Sequence, residues 1–149
     1  MTRTSLQTFS TVLAAMSLVA AALPATAQEG GRPLKATLTG AAEKPAAGDP
    51  DGAGEATLRV NVGQKQICYD LQVRGVAVAT MAHIHKAPAT DAGPVVVTLT
   101  APTADGKSSA CATVAQDLAK DILQHPEAYY VNVHNAEFPA GAVRGQLSK

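Results

Sequence analysis

The sequence predicts a mainly β chain: an antiparallel sandwich or barrel carrying one short helix. Three observations predict it. Apolar and polar residues alternate along several short stretches, the signature of strands with one buried face. Gly, Pro and Asp collect between those stretches, where chain reversals are needed. One segment alone, 114–125, changes to helical spacing.

In chain order, Gly54–Val62 puts Ala56, Leu58, Val60 and Val62 on one face and Glu55, Thr57, Arg59 and Asn61 on the other. Gln66–Arg74 repeats the pattern, with Ile67, Tyr69, Leu71 and Val73 inward and Cys68, Asp70, Gln72 and Arg74 outward. In Met81-Ala82-His83-Ile84-His85, Ala82 and Ile84 take the inward face and leave His83 and His85 outward. Pro94 opens Val95–Thr100, where Val95, Val97 and Leu99 share a side. Val114, Leu118 and Ile122 then recur at helical spacing, and Pro126 ends that helix. Tyr129–His134 turns Tyr129, Val131 and Val133 inward and Asn132 and His134 outward; Val143–Leu147 closes the chain with Arg144 and Gln146 outward. Ala41–Ala53 and Pro102–Ser108 read as loops, and Gln28–Leu34 as a loose leader.

Residues 1–27 read as a cleaved export signal. Arg3 supplies the positive start, Phe9–Leu23 the apolar run, and Ala25-Thr26-Ala27 the small-x-small cleavage site before Gln28. The run is short for a membrane-spanning helix. The expected domain is therefore 35–149, secreted or periplasmic, with no membrane span in the mature chain. Full-length charge is balanced, 12 basic against 12 acidic residues, and without Arg3 it is 11 against 12. No basic stripe suited to nucleic acid is present. Tyr69, Tyr129, Tyr130 and Phe138 are the aromatics beyond the signal, too few for a base-stacking platform. Cys68 and Cys111 both lie in the exported part, where two cysteines of one small domain are expected to pair as a disulfide.

The chemistry-bearing residues are histidines. His83 and His85 lie two apart on one strand and so share a face; His134 shares a face with Asn132 and Tyr130 on another. If the two strands are neighbours, His83, His85 and His134 form a sensible mononuclear site for Cu or Zn, with metal–nitrogen distances near 2.0–2.1 Å. Asn132, Gln146 or a backbone carbonyl would then orient the rings. The other reading open at this point is a set of hydrogen-bonded structural histidines, with Arg144 paired to Glu137, Asp70 or Glu43. His125, at the predicted helix C-terminus, is expected to cap the helix.

Taken in order, Leu38-Thr39-Gly40, Glu43, Pro45, His83-Ile84-His85, Gly93-Pro94-Val95-Val96, Tyr130-Val131-Asn132-Val133-His134, Pro139, Gly141 and Arg144-Gly145-Gln146-Leu147 resemble the chordin-type (CHRD) domain from about Lys35 to Leu147. Lys86 stands where that family often has glycine after the histidine pair, and Ala142 where it often has an acidic residue. The resemblance implies an antiparallel Greek-key β-sandwich, immunoglobulin-like or superoxide-dismutase-like, in an exported bacterial form of the domain. It implies little settled biochemistry; the function expected is a non-catalytic binding or structural module whose partner is a protein or surface ligand, with a transition metal at His83, His85 and His134 as the reading that the histidine spacing itself leaves open. The alternatives are a periplasmic copper/zinc-handling protein and a copper-only superoxide-dismutase-like enzyme. The enzyme would need His83, His85, His125 and His134 to converge. No nucleophile–base pair, phosphate loop, Cys-x-x-Cys or HExxH motif points to another catalysis.

Overall fold

The computed structural model describes Met1 and residues 30–149. The export signal expected over 1–27 lies, apart from Met1, outside the described residues. The remainder is built from eight strands and one helix: β1 (Arg32–Thr39), β2 (Ala53–Asn61), β3 (Gln66–Arg74), β4 (Ala79–Lys86), β5 (Val95–Leu99), β6 (Lys107–Thr113), α1 (Gln116–Gln124), β7 (Tyr129–Asn135) and β8 (Val143–Gln146). No helix among the described residues is long and apolar enough to cross a membrane.

All eight strands join one antiparallel sheet in the order β5-β4-β7-β8-β1-β2-β3-β6. This corrects the expected Greek-key sandwich: instead of two separate layers, a single continuous ladder curls until it is nearly closed, like a barrel. The edge strands β5 and β6 are bridged at the seam by side chains. Ser108 Oγ donates to the Thr100 carbonyl at 2.8 Å, and the Thr100 N–H donates to the Tyr69 hydroxyl at 2.6 Å. These side-chain contacts bring the two sheet edges together without a ladder.

The core fills the curl with the inward residues of the alternating strands. Leu34, Leu38, Leu58, Val60, Ile67, Leu71, Ile84, Val131 and Val133 are all buried there. Helix α1 seals the core with Ala119 and Ile122. His125 is its C-cap residue, with its N–H on the Asp121 carbonyl, as its position before Pro126 suggested. Asp121 also accepts from Lys86 Nζ at 2.6 Å and from the Tyr129 hydroxyl, which ties the helix to β4 and β7.

Two segments depart from the sequence reading. Strand β1 starts at Arg32, so Arg32–Leu34 are not a loose leader; Leu34 is core and pairs with Leu58. Strand β6 begins inside the expected 102–108 loop and continues to Thr113. Its inward positions, Ser108, Ala110 and Ala112, are small and half-buried, so it carries no apolar alternation to read. Cys68 on β3 faces Cys111 on β6 directly across the ladder, and the two form the expected disulfide.

Candidate metal centre

Strands β4 and β7 are neighbours, and their register decides what meets on the face away from the core. His85 is opposite Tyr130, His83 opposite Asn132, and Met81 opposite His134. Strand β8 extends the same face, pairing Tyr130 with Gln146 and Asn132 with Arg144. The sheet alone thus gathers three histidines, Asn132, Tyr130, Arg144 and Gln146 into one patch.

Most of the patch is shielded from solvent, with His83 and Gln146 half-buried. Every residue of β7 is buried on both faces, because the loops after β1, β4 and β7 fold back over it. Arg144 holds the loop after β4: Nη1 donates to the Asp91 carbonyl and Nη2 to the Pro88 carbonyl, each at 2.8 Å. Gln146 Nε2 donates to the carbonyls of Ala87 and Glu127, each at 2.7 Å. Tyr130 lies between neighbours, with the His85 ring stacked on it at 4.8 Å and the Arg144 guanidinium 3.4 Å from its centroid. Arg144, 1 % exposed, therefore hydrogen-bonds loop carbonyls and covers an aromatic face; of the carboxylates expected from the sequence, Glu43 acts on it through charge rather than a direct ion pair.

The same loops set the histidine tautomers. His85 Nδ1 lies 2.8 Å from the Gly93 carbonyl and His134 Nδ1 3.1 Å from the Pro139 carbonyl. A carbonyl only accepts, so each Nδ1 carries the proton and each neutral ring presents a lone pair at Nε2. His134 Nε2 faces His83 Nδ1 at 3.1 Å, while His85 Nε2 is buried without a hydrogen-bond partner. Ligand atoms from the three rings all lie within 4.8 Å of one another. If every separation stood at that 4.8 Å limit, the point midway would be about 2.8 Å from each nitrogen, so each ring would move about 0.7 Å to reach a metal–imidazole distance.

Electrostatics favour the ligand form. Burial pushes the His83 pKa down, and His134 and His85 beside it add to that. Burial likewise lowers His134, with the Pro139 carbonyl opposing and His85 assisting. Both lowered values favour the neutral, ligand-competent ring; without an ion, the His134 Nε2 lone pair accepts from His83 Nδ1–H, a hydrogen bond that a bound cation would replace.

Residues 34–147 match the family model described as CHRD domain. The chain belongs to the CHRD-domain family. No curated protein and no solved structure matches it. In this CHRD domain the three histidines, Arg144 and the loops that cover them all fall inside the matched span.

Other candidates settle elsewhere. His125 is exposed at the end of α1, with Nδ1 3.9 Å from Glu127, and does not join the three histidines. The four-histidine copper site considered from the sequence is therefore not assembled. Of the groups expected to orient the rings, the backbone carbonyls do so; Gln146 instead fastens loops, and Asn132 sits buried opposite His83 with its Oδ1 unpartnered. Glu43, one of the carboxylates the sequence offered to Arg144, lies in this layer. It is 3 % exposed, and its pKa is raised to about 7, chiefly by burial, against the lowering effects of Arg144, the Lys44 N–H and Asn132. A surface depression of about 440 Å³ lies over the disulfide on β2, β3 and β6 and is lined by none of the three histidines.

Proposed function

We propose that this chain is an exported, non-catalytic CHRD module that binds one transition-metal ion, copper or zinc, through His83, His85 and His134. The observation that carries the reading is the buried, unpartnered Nε2 of His85, beside a second Nε2 whose ring is held in the same tautomer by a loop carbonyl. Leaving such an atom unsatisfied costs about 1–3 kcal/mol, a cost a bound cation would offset. Metal-ligating histidines are held in this way, their second ring nitrogen donating to a carbonyl or carboxylate. Export is supported by the signal-like first 27 residues and by the Cys68–Cys111 disulfide, a bond suited to an oxidising compartment. Three imidazoles rather than four favour capture and handling of the ion over superoxide-dismutase-like redox chemistry. The partner that delivers or receives the ion is a protein or surface ligand.

Titration calorimetry with Cu²⁺ and Zn²⁺ tests this on the purified protein and on His85→Ala and His134→Ala variants. The expected result is one equivalent bound more tightly than about 1 μM, equivalent to about 8 kcal/mol, and weakened at least about a hundredfold in each variant. Absence of binding by the parent, or equal binding by parent and variants, overturns the reading.

A further inference from the structure

We propose that Met81 is the fourth ligand of this centre and makes it a copper(I) site. The inference rests on the metal-binding reading of the three histidines and adds to it the identity and oxidation state of the ion.

Placement comes first. Met81 precedes His83 by two residues on β4 and so shares its face, and the β4–β7 ladder sets it directly opposite His134. Directly opposed residues on one face have Cβ atoms about 4.5–5.5 Å apart. Met81 is thus the along-strand neighbour of one histidine and the cross-strand neighbour of another. A methionine has three rotatable bonds with which to bring its sulfur over the pair.

Exposure is the second observation. The cluster is closed at one end, where His85 and His134 are 8 % and 6 % exposed, and opens at His83, which is only half-buried. Met81 stands at that open end, 46 % exposed. A large apolar side chain left this far in solvent gains little from burial, whereas over the cluster it would cover the open side and supply the donor that three nitrogens lack.

The donor set then selects the ion. Three neutral imidazoles and a thioether bring no negative charge, and the cluster includes no carboxylate or thiolate. Holding an ion in a half-dehydrated site costs solvation energy that grows with the square of its charge, so a neutral donor set favours a monovalent ion over a divalent one. Thioether sulfur is a soft ligand that selects copper(I), while zinc draws its sulfur from thiolates.

The test is anaerobic competition for Cu⁺ against a chromogenic copper(I) chelator, beside Zn²⁺ titration, on the full protein and on Met81→Leu. Leucine keeps the volume and removes the sulfur at an exposed position, so the fold is retained. The expected result is one Cu⁺ per chain in the parent, binding weakened by about tenfold or more in Met81→Leu, and Zn²⁺ affinity changed by less than about threefold. X-ray absorption of the copper-loaded parent should show a sulfur neighbour that Met81→Leu lacks. Equal Cu⁺ affinity in parent and variant, or equal loss for Cu⁺ and Zn²⁺, overturns the role of Met81. Zn²⁺ binding without Cu⁺ binding overturns the copper assignment but leaves the histidine site standing. Failure to bind either ion removes both.

Discussion

Replacing Glu43 by glutamine should make the protein more stable at neutral pH, by an amount set by the burial of one carboxyl group. Glu43 is 3 % exposed, and its pKa rises from 4.5 to about 7. The folded state thus holds this proton more tightly than the unfolded chain does. Its stabilising contribution is complete below pH 4.5 and is lost as pH rises through 7. At about 1.4 kcal/mol per pKa unit, the loss across that window amounts to about 3 kcal/mol. Glutamine keeps the shape and does not ionise. Urea unfolding of parent and Glu43→Gln from pH 4 to 8 should therefore give curves that nearly meet at the acid end and separate by about 3 kcal/mol at the alkaline end, the variant being more stable. The difference curve is the readout because the depressed histidines act oppositely. With folded pKa values below 6.5, His83 and His134 add stability as pH rises toward 6.5, in both proteins alike. A stability difference that stays flat from pH 4 to 8 would refute the burial argument.

Other outcomes follow from the same packing. Cys68→Ser/Cys111→Ser opens a cross-link between residues 43 apart and should cost about 4 kcal/mol by loop entropy, read as a lowered urea midpoint at nearly unchanged metal affinity. Gly141 has φ +149°, and a Cβ there would press on the Glu43 carboxyl, so Gly141→Ala should cost about 2 kcal/mol in thermal unfolding. An unchanged melting temperature for Gly141→Ala would mean that the loop over Glu43 is not fixed against it.

The sequence carried the strands whose faces differ most in polarity. Along β2 and β3, alternation marks the true core: Ala56, Leu58 and Val60, then Ile67, Tyr69 and Leu71. It failed on β6, whose inward residues are serine and alanine, and at the start of β1, where Pro33 and Leu34 look like the end of a leader. Closure into a barrel-like sheet was not legible either. It depends on side-chain contacts at the seam, made by Ser108, Thr100 and Tyr69 where β5 and β6 form no ladder, and such contacts leave no pattern in the residue types. At the candidate site, alternation put His83, His85, His134, Asn132, Arg144 and Gln146 on one side of the sheet. It could not reveal that this side is covered. The covering loops are held through the carbonyls of Pro88, Asp91, Gly93 and Pro139, and a backbone acceptor leaves no mark in the residue type. Glu43 was legible as a candidate partner of Arg144 but not as a buried carboxyl, and Met81 reads as an ordinary strand residue until the register is known.

The most direct test of the central claim is anomalous diffraction from crystals of the protein loaded with one equivalent of copper or zinc, recorded on both sides of the metal's absorption edge. The account predicts one strong peak on the face of β4 and β7 away from the core, about 2.0–2.1 Å from a ring nitrogen of each of His83, His85 and His134. A peak at any other place, or none under conditions where the metal is bound in solution, would contradict it.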